Sequence, residues 1–257
     1  MSRGKTAFGI AVLLAMVVSA FAVASASAKG TTAYTCVKDP EGDLLGAHCL
    51  TSGGGSEKYK HVAIKQDETT TTTATNANTA EETKAARKAI LKGTLSGVTT
   101  QIECSEIHGE GSLENKVSGE EMYLTSGGRL HFTGCVVGIP AGKGCKISGE
   151  TITTNEMEST SLGLEHSVKV GGMGGGAIAE IKIEGCTVSA LNNTFPLTGS
   201  LIAIGPGATL TATHSEVTAQ GTLKFGGLKA GADIAVTVKA HGKEGEETKP
   251  ISVTTAP

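Results

Sequence analysis

The chain has 257 residues, with 22 Lys and Arg against 25 Asp and Glu, a formal charge of -3. That balance offers no basic surface to nucleic acid, and 3% aromatic residues with no Trp rule out a core built on large rings. The core must come from Val, Ile, Leu and Ala, which bury less apolar area per residue, so covalent staples would help to hold it.

Arg3 and Lys5 precede an apolar run from Ala7 to Ala24, and Ala26-Ser27-Ala28 closes it with small residues. This is the pattern of a secretory signal peptide over residues 1–28, leaving a single β-rich domain over 29–257. An uncleaved anchor competes, because the run nearly reaches spanning length. The small-residue cleavage site favours removal. The expected location is secreted or cell surface, with the membrane met only through the signal peptide. Cleavage discards two basic residues and no acidic one, so the mature chain is more acidic still.

Residues 29–90 read as the start of that domain or as an N-terminal subdomain. Thr32 to Val37 and Tyr59 to Ile64 are short strands, separated by the turn Asp39-Pro40-Glu41-Gly42 and by Gly53-Gly54-Gly55. Asp39, Glu41 and Asp43 alternate, but a calcium loop also needs a terminal glutamate that is missing, so a solvated turn is the better reading. Thr69 to Thr75 favours extended structure, as exposed strand or linker. Thr79 to Lys92 carries the helical signals: Thr79 and Glu82 match a capping box and Gly93 can end the helix. An extended crossing strand is the other option there.

From Leu91 onward the chain alternates short β-prone runs with Gly, Asn or Ser: Leu91 to Glu106, Met122 to Thr125, Arg129 to Val137, Lys146 to Thr154, Ser167 to Val170, Ala177 to Gly185, Phe195 to Ile204, Ala208 to His214, Gly221 to Phe225, Ile234 to Ala240 and Ile251 to Thr255. Many short strands with close turns predict an all-β fold, a sandwich or a barrel. Three Tyr, five Phe and no Trp cannot furnish the aromatic girdles of an outer-membrane barrel. The expectation is a secreted antiparallel β-sandwich, with one short helix around residues 79–92.

Cys36, Cys49, Cys104, Cys135, Cys145 and Cys186 form an even set in an exported chain, which predicts three disulfides. No CxxC pair occurs, so zinc at Cys49 with His48 and His61 is disfavoured. Two strands end in Gly-Cys, at Gly134-Cys135 and Gly185-Cys186. Period-two counting puts Leu130 with Phe132, and Ile181 with Ile183, on the face opposite to each following cysteine. A bulge at Gly134 and at Gly185 would shift the phase and turn Cys135 and Cys186 inward. Cys104 is already in phase with Ile102, and Cys145 with Ile147. Beside Cys36–Cys49, the pairing is then either Cys135–Cys145 with Cys104–Cys186, or Cys104–Cys135 with Cys145–Cys186. The short Gly138 to Gly144 loop favours the first.

Candidate chemistry is sparse. His108 has Glu106 and Glu110 nearby, His166 adjoins Glu165 and His214 precedes Glu216, as chance allows in a chain with 18% charged residues. His131 alternates with Leu130 and Phe132, and no GxSxG elbow is present. Gly171 to Gly176 lacks the Gly-Lys-Ser/Thr of a phosphate loop and reads as a hairpin tip. No cofactor or metal is expected.

The Thr35-Cys36-Val37 and Ala47-His48-Cys49 elements, the His61 to Ile64 strand and the two Gly-Cys strands around Ile139 to Cys145 resemble a group of uncharacterised secreted bacterial β-rich proteins. The resemblance implies export and β architecture, and no activity. The function expected is therefore a non-enzymatic extracellular or cell-surface binding or structural module, whose partner is an extracellular ligand or a second copy. The alternative is an extracellular polymer hydrolase with a carboxylate pair among Glu103, Glu106, Glu180 and Glu184.

Overall fold

A computed structural model describes residues 31–45, 51–52, 58–64, 69–76, 88–118, 121–162, 167–204, 209–213, 222–241 and 249–255. The signal peptide, His48, Cys49, His166, His214 and the 79–87 part of the expected helix lie outside the described residues.

Eight strands close a barrel: β1 Thr70–Asn76, β2 Glu106–Ser118, β3 Glu121–Thr133, β4 Met157–Ser161, β5 Ser167–Gly172, β6 Ser200–Ile204, β7 Thr209–Thr213 and β8 Leu228–Ala240. Each pairs antiparallel with the next, and β8 returns to β1 through Val236↔Asn76 to Ala240↔Thr72. This corrects the expected sandwich: the hydrogen-bond ladder closes on itself in simple up-and-down order. Long strands coil enough to close because glycines interrupt them. Gly109 and Gly111 lie within β2, and Gly127 and Gly128 within β3, where they had read as breaks.

The expected helix is also corrected where it is described. Ala89–Leu95 is a strand, paired along its length with Val98–Cys104. Its good helix formers are overridden by burial of Ala89 and Leu95 against the core.

Alternation along the staves divides the residues cleanly. Ile107, Leu113, Phe132 and Val168 face inward and are buried, whereas His108, Glu110, Arg129, Glu158 and Lys169 are exposed on the outer face. An apolar interior inside a polar wall is the reverse of a membrane-spanning barrel.

The four connections at one end of the barrel are long and carry further strands. Ala89–Leu95 and Val98–Cys104 lie between β1 and β2; Val136–Ile139 and Lys146–Ile147 between β3 and β4; Ala179–Glu184 and Asn193–Thr198 between β5 and β6; Lys224–Phe225 between β7 and β8. These seven pair in sequence, and both ends of the series meet the first half of β8, which completes a second ring. Its core holds Leu95, Ile102, Ile181, Ile183, Leu191, Leu223 and Phe225, each no more than 1% exposed.

Two disulfides stitch this cap, Cys104–Cys135 and Cys145–Cys186. The favoured Cys135–Cys145 and Cys104–Cys186 pairing is thus replaced by the second option. Register explains it: Val136 pairs with Glu103 and Lys146 with Glu184, which seats Cys135 beside Cys104 and Cys145 beside Cys186. The proposed Cys36–Cys49 bridge falls outside the described residues.

The inward turn of Cys135 and Cys186 does occur, at 1% and 8% exposure. Gly134 has φ 60° and Gly185 φ 73°, conformations that L side chains rarely adopt. At Gly134 the chain leaves β3 and crosses into the cap. A Cβ there would collide with Ser105 Oγ, on the neighbouring crossing between Cys104 and β2. We expect Gly134→Val to destabilise the fold by about 2 kcal/mol or more and to slow formation of Cys104–Cys135. Equilibrium unfolding and non-reducing peptide mapping of the variant check this; unchanged stability with both bridges formed contradicts it.

The opposite end of the barrel is stoppered by a small group of strands. Thr31–Lys38 pairs with Lys58–Ala63 and with Lys249–Thr255, and the last of these joins β8 at Lys239 and Ala240. Ala33 and Ile64 enter a second apolar cluster with Leu113, Val168, Ala203 and Ala240 of the staves. Asn115 of β2 fastens the stopper. Fully buried, it accepts from Ala33 N–H at 2.9 Å and donates to Ala33 O at 2.9 Å and Ile64 O at 3.0 Å. Asn115→Leu leaves the Ala33 amide and the Ile64 carbonyl without this partner away from water, while Ala33 O keeps its bond from Ile64 N–H at 3.2 Å, so we expect a loss of about 3 kcal/mol in urea unfolding. Amide exchange at Ala33 should accelerate; protection equal to the parent at Ala33 contradicts the fastening role.

Candidate functional site

An eight-stranded barrel is just wide enough for its inward side chains to fill it, or to hold one small ligand when they do not. In this barrel many inward positions are too small to fill it. Thr72 and Ala74 on β1, Gly109 and Gly111 on β2, Ser126 and Gly128 on β3, and Ser159 on β4 occupy places where Leu or Ile would meet at the axis. Register aligns them: Gly111 pairs with both Thr72 and Gly128, and Ser126 with both Leu113 and Ser159. A Cβ on Gly111 would strike Gly127 O, and one on Gly128 would strike Glu110 O, so the close approach of β2 and β3 keeps these positions empty.

The result is a cavity of about 220 Å³ along the barrel interior. Leu113, Val168 and Ala203 line its stoppered end, and Phe132, Ile152, Ile178 and Leu197 line its capped end. Leu130, Met157, Val170, Leu201, Ile234, Val236 and Val238 form the side walls. Its polar side chains are few. Ser126 and Ser159 hydrogen-bond to each other across β3 and β4, and Thr154 Oγ1 accepts from Leu130 N–H at 2.9 Å.

On the outer face at the same glycines lies a polar groove bordered by Glu110, Ser112, Arg129, His131 and Glu156. Arg129 Nε donates to Glu156 at 3.1 Å, and His131 Nδ1 lies 3.1 Å from Thr153 Oγ1. His108 sits opposite His131 in the β2–β3 ladder and 3.7 Å from Glu106.

The four carboxylates singled out for hydrolysis lie outside the barrel cavity. Glu103 accepts from Gln101 at 2.7 Å and from Lys88 at 3.2 Å. The Gln101 hydrogen bond and then the Lys88 ammonium hold its carboxyl below the usual range. Glu106 accepts from Thr133, Glu184 pairs with Lys182 at 3.2 Å, and Glu180 is exposed. Lys146 stands between Val136 and Glu184 in the ladder, so Glu103 and Glu184 are three strands apart, roughly 14 Å along the sheet. That exceeds the carboxylate separation of retaining or inverting glycosidases, about 5 to 9.5 Å.

The other candidates have structural partners. Asp39 caps its turn by accepting from Glu41 N–H at 2.8 Å and pairs with Lys60. The Lys60 hydrogen bond, then the Glu41 amide, lower its pKa. Gly171 and Gly172 belong to β5, and Met173–Gly175 forms a short turn after it. Asn192 bonds both the N–H and C=O of Cys186, at 2.8 and 2.9 Å, bracing that corner. Among the described residues no three His, Cys, Asp or Glu side chains form a metal-holding group.

Sequence reasoning missed the cavity. The signal was present as a period of two: between Ile107 and Leu113 the same face carries only Gly109 and Gly111, and on β3 Ser126 and Gly128 precede Leu130. Comparison with family models, with curated proteins and with solved structures finds no match to this chain. The class is therefore set by architecture: a closed eight-stranded antiparallel barrel, with a disulfide-stitched cap and an apolar interior cavity. Its disulfides fit an oxidising compartment.

Proposed function

We propose that this protein is an exported, non-enzymatic binding module that takes one small apolar molecule into the barrel. The observation that supports this reading is the run of Gly, Ala and Ser at inward positions, which leaves a mainly apolar space of about 220 Å³ in the barrel interior. An engineered cavity of about 150 Å³ lined by Leu, Ile and Phe already binds benzene. A core kept only for stability would close such a space, since each unfilled volume element costs packing energy. Export agrees with the signal-peptide pattern and with the disulfides.

The size suits a chain of about eight carbons. At about 0.8 kcal/mol per buried methylene, such a chain gains roughly 6 kcal/mol, a Kd on the order of tens of micromolar. Isothermal titration of the folded, oxidised protein with naphthalene and with 1-octanol tests the reading. Saturable one-to-one binding is expected; no binding up to the solubility limit of either compound overturns it.

A further inference from the structure

The geometry points to the chemical class of that ligand: a neutral, mainly hydrocarbon molecule with a single hydrogen-bonding oxygen, held by the Ser126–Ser159 hydroxyl pair, and not a carboxylate. This rests on the reading of the barrel cavity as the binding site.

The inward positions of the described staves carry no charged side chain. Glu110, Arg129 and Glu158 border the cavity, but from outward-facing positions in the alternation, and all three are exposed. Arg129 is also engaged by Glu156. A ligand carboxylate inside the barrel would therefore lose its water without meeting a cation, a cost that a hydrocarbon tail of this length cannot offset.

A ligand with no polar atom would leave the seryl pair idle. Ser159 is only 6% exposed and Ser126 faces it directly in the β3–β4 ladder. Two hydroxyls that bond to each other use one of their two protons, so the pair keeps one O–H to donate and lone pairs to accept. Both side chains line the cavity. The pair can thus donate to a ketone or ester oxygen, or exchange hydrogen bonds with an alcohol. It lies one register step beyond the Gly111–Gly128 pair, toward Leu113, so the oxygen sits at the floor side and the tail runs past Met157 and Leu130 toward Phe132.

The test compares octane, 2-octanone, 1-octanol and octanoate by competition against bound naphthalene, for the parent protein and for the double variant Ser126→Ala, Ser159→Ala. In the parent, 2-octanone and 1-octanol should bind about fivefold tighter than octane. Octanoate should bind at least about 100-fold more weakly than 1-octanol at pH 7 and recover as pH falls below its ordinary pKa of about 4 to 5. In the double variant the oxygenated ligands should fall to the level of octane while octane keeps its affinity. Octanoate matching 1-octanol at pH 7, or a double variant that still prefers the oxygenated ligands, overturns the assignment and leaves the cavity reading standing. Failure of all four ligands, octane included, in a folded protein overturns the cavity reading itself.

Discussion

Val170→Phe should leave the barrel folded and weaken binding of naphthalene or 1-octanol at least tenfold. Val170 faces inward on β5, between Ser159 on β4 and Leu201 on β6. A larger side chain forced into a filled core costs about 1 to 3 kcal/mol. At this position the added ring has empty volume to enter. At about 24 cal/mol per Å³ of cavity removed, filling some 50 Å³ stabilises the protein by about 1 kcal/mol. Lost binding and unchanged or raised stability would therefore appear together. Lys169→Phe supplies the control, because Lys169 is exposed one residue away on the opposite face. Titration and thermal unfolding of both variants check the pair. Undiminished binding in Val170→Phe, or equal loss in Lys169→Phe, would place the site somewhere other than the barrel interior.

Removing either disulfide should lower stability by about 4 kcal/mol. The bridges close loops of 31 and 41 residues in sequence separation, and chain-entropy estimates for loops of that length lie near this value. For a domain of this size the corresponding fall in Tm is roughly 8 to 16 °C. The pairs Cys104→Ala with Cys135→Ala, and Cys145→Ala with Cys186→Ala, should each show it by calorimetry. Their structural consequences differ. Cys104 and Cys135 lie where two adjacent strands cross from barrel to cap, whereas Cys145 and Cys186 close the cap at a two-residue strand, Lys146–Ile147. The first pair of substitutions should loosen the Phe132 and Ile152 end of the cavity and weaken ligand binding. The second should spare it. A native Cys104–Cys186 bridge in non-reducing maps would contradict this arrangement directly.

Local alternation was legible in the sequence. Leu130 with Phe132, Ile181 with Ile183, and the shifted phase after Gly134 and Gly185 follow from a period of two and from the freedom of glycine. Closure was not legible, for the same reason in reverse. Glycine inside a strand carries the same sequence signal as glycine between strands, so Ser126-Gly127-Gly128 split β3 into two runs and Gly109-Glu110-Gly111 hid β2 altogether. Disulfide partners depend on which strands become neighbours, and register between Val136 and Glu103 is a property of the assembled sheet. Loop length alone pointed to the wrong partner for Cys135. The cavity was hidden because small inward residues have meaning only once a wall surrounds them. The Ala89–Leu95 strand shows the remaining limit: helix propensity is a weak local term, and pairing with Val98–Cys104 outweighs it.

The single strand Leu228–Ala240 serves the cap with its first half and the barrel with its second, pairing with Ala89–Leu95 and then with Thr70–Asn76. A continuous backbone cannot be released from one ring while remaining registered in the other without a break at Asp233. Cap and barrel should therefore melt together, in one transition seen alike by every probe, because this one strand belongs to both rings.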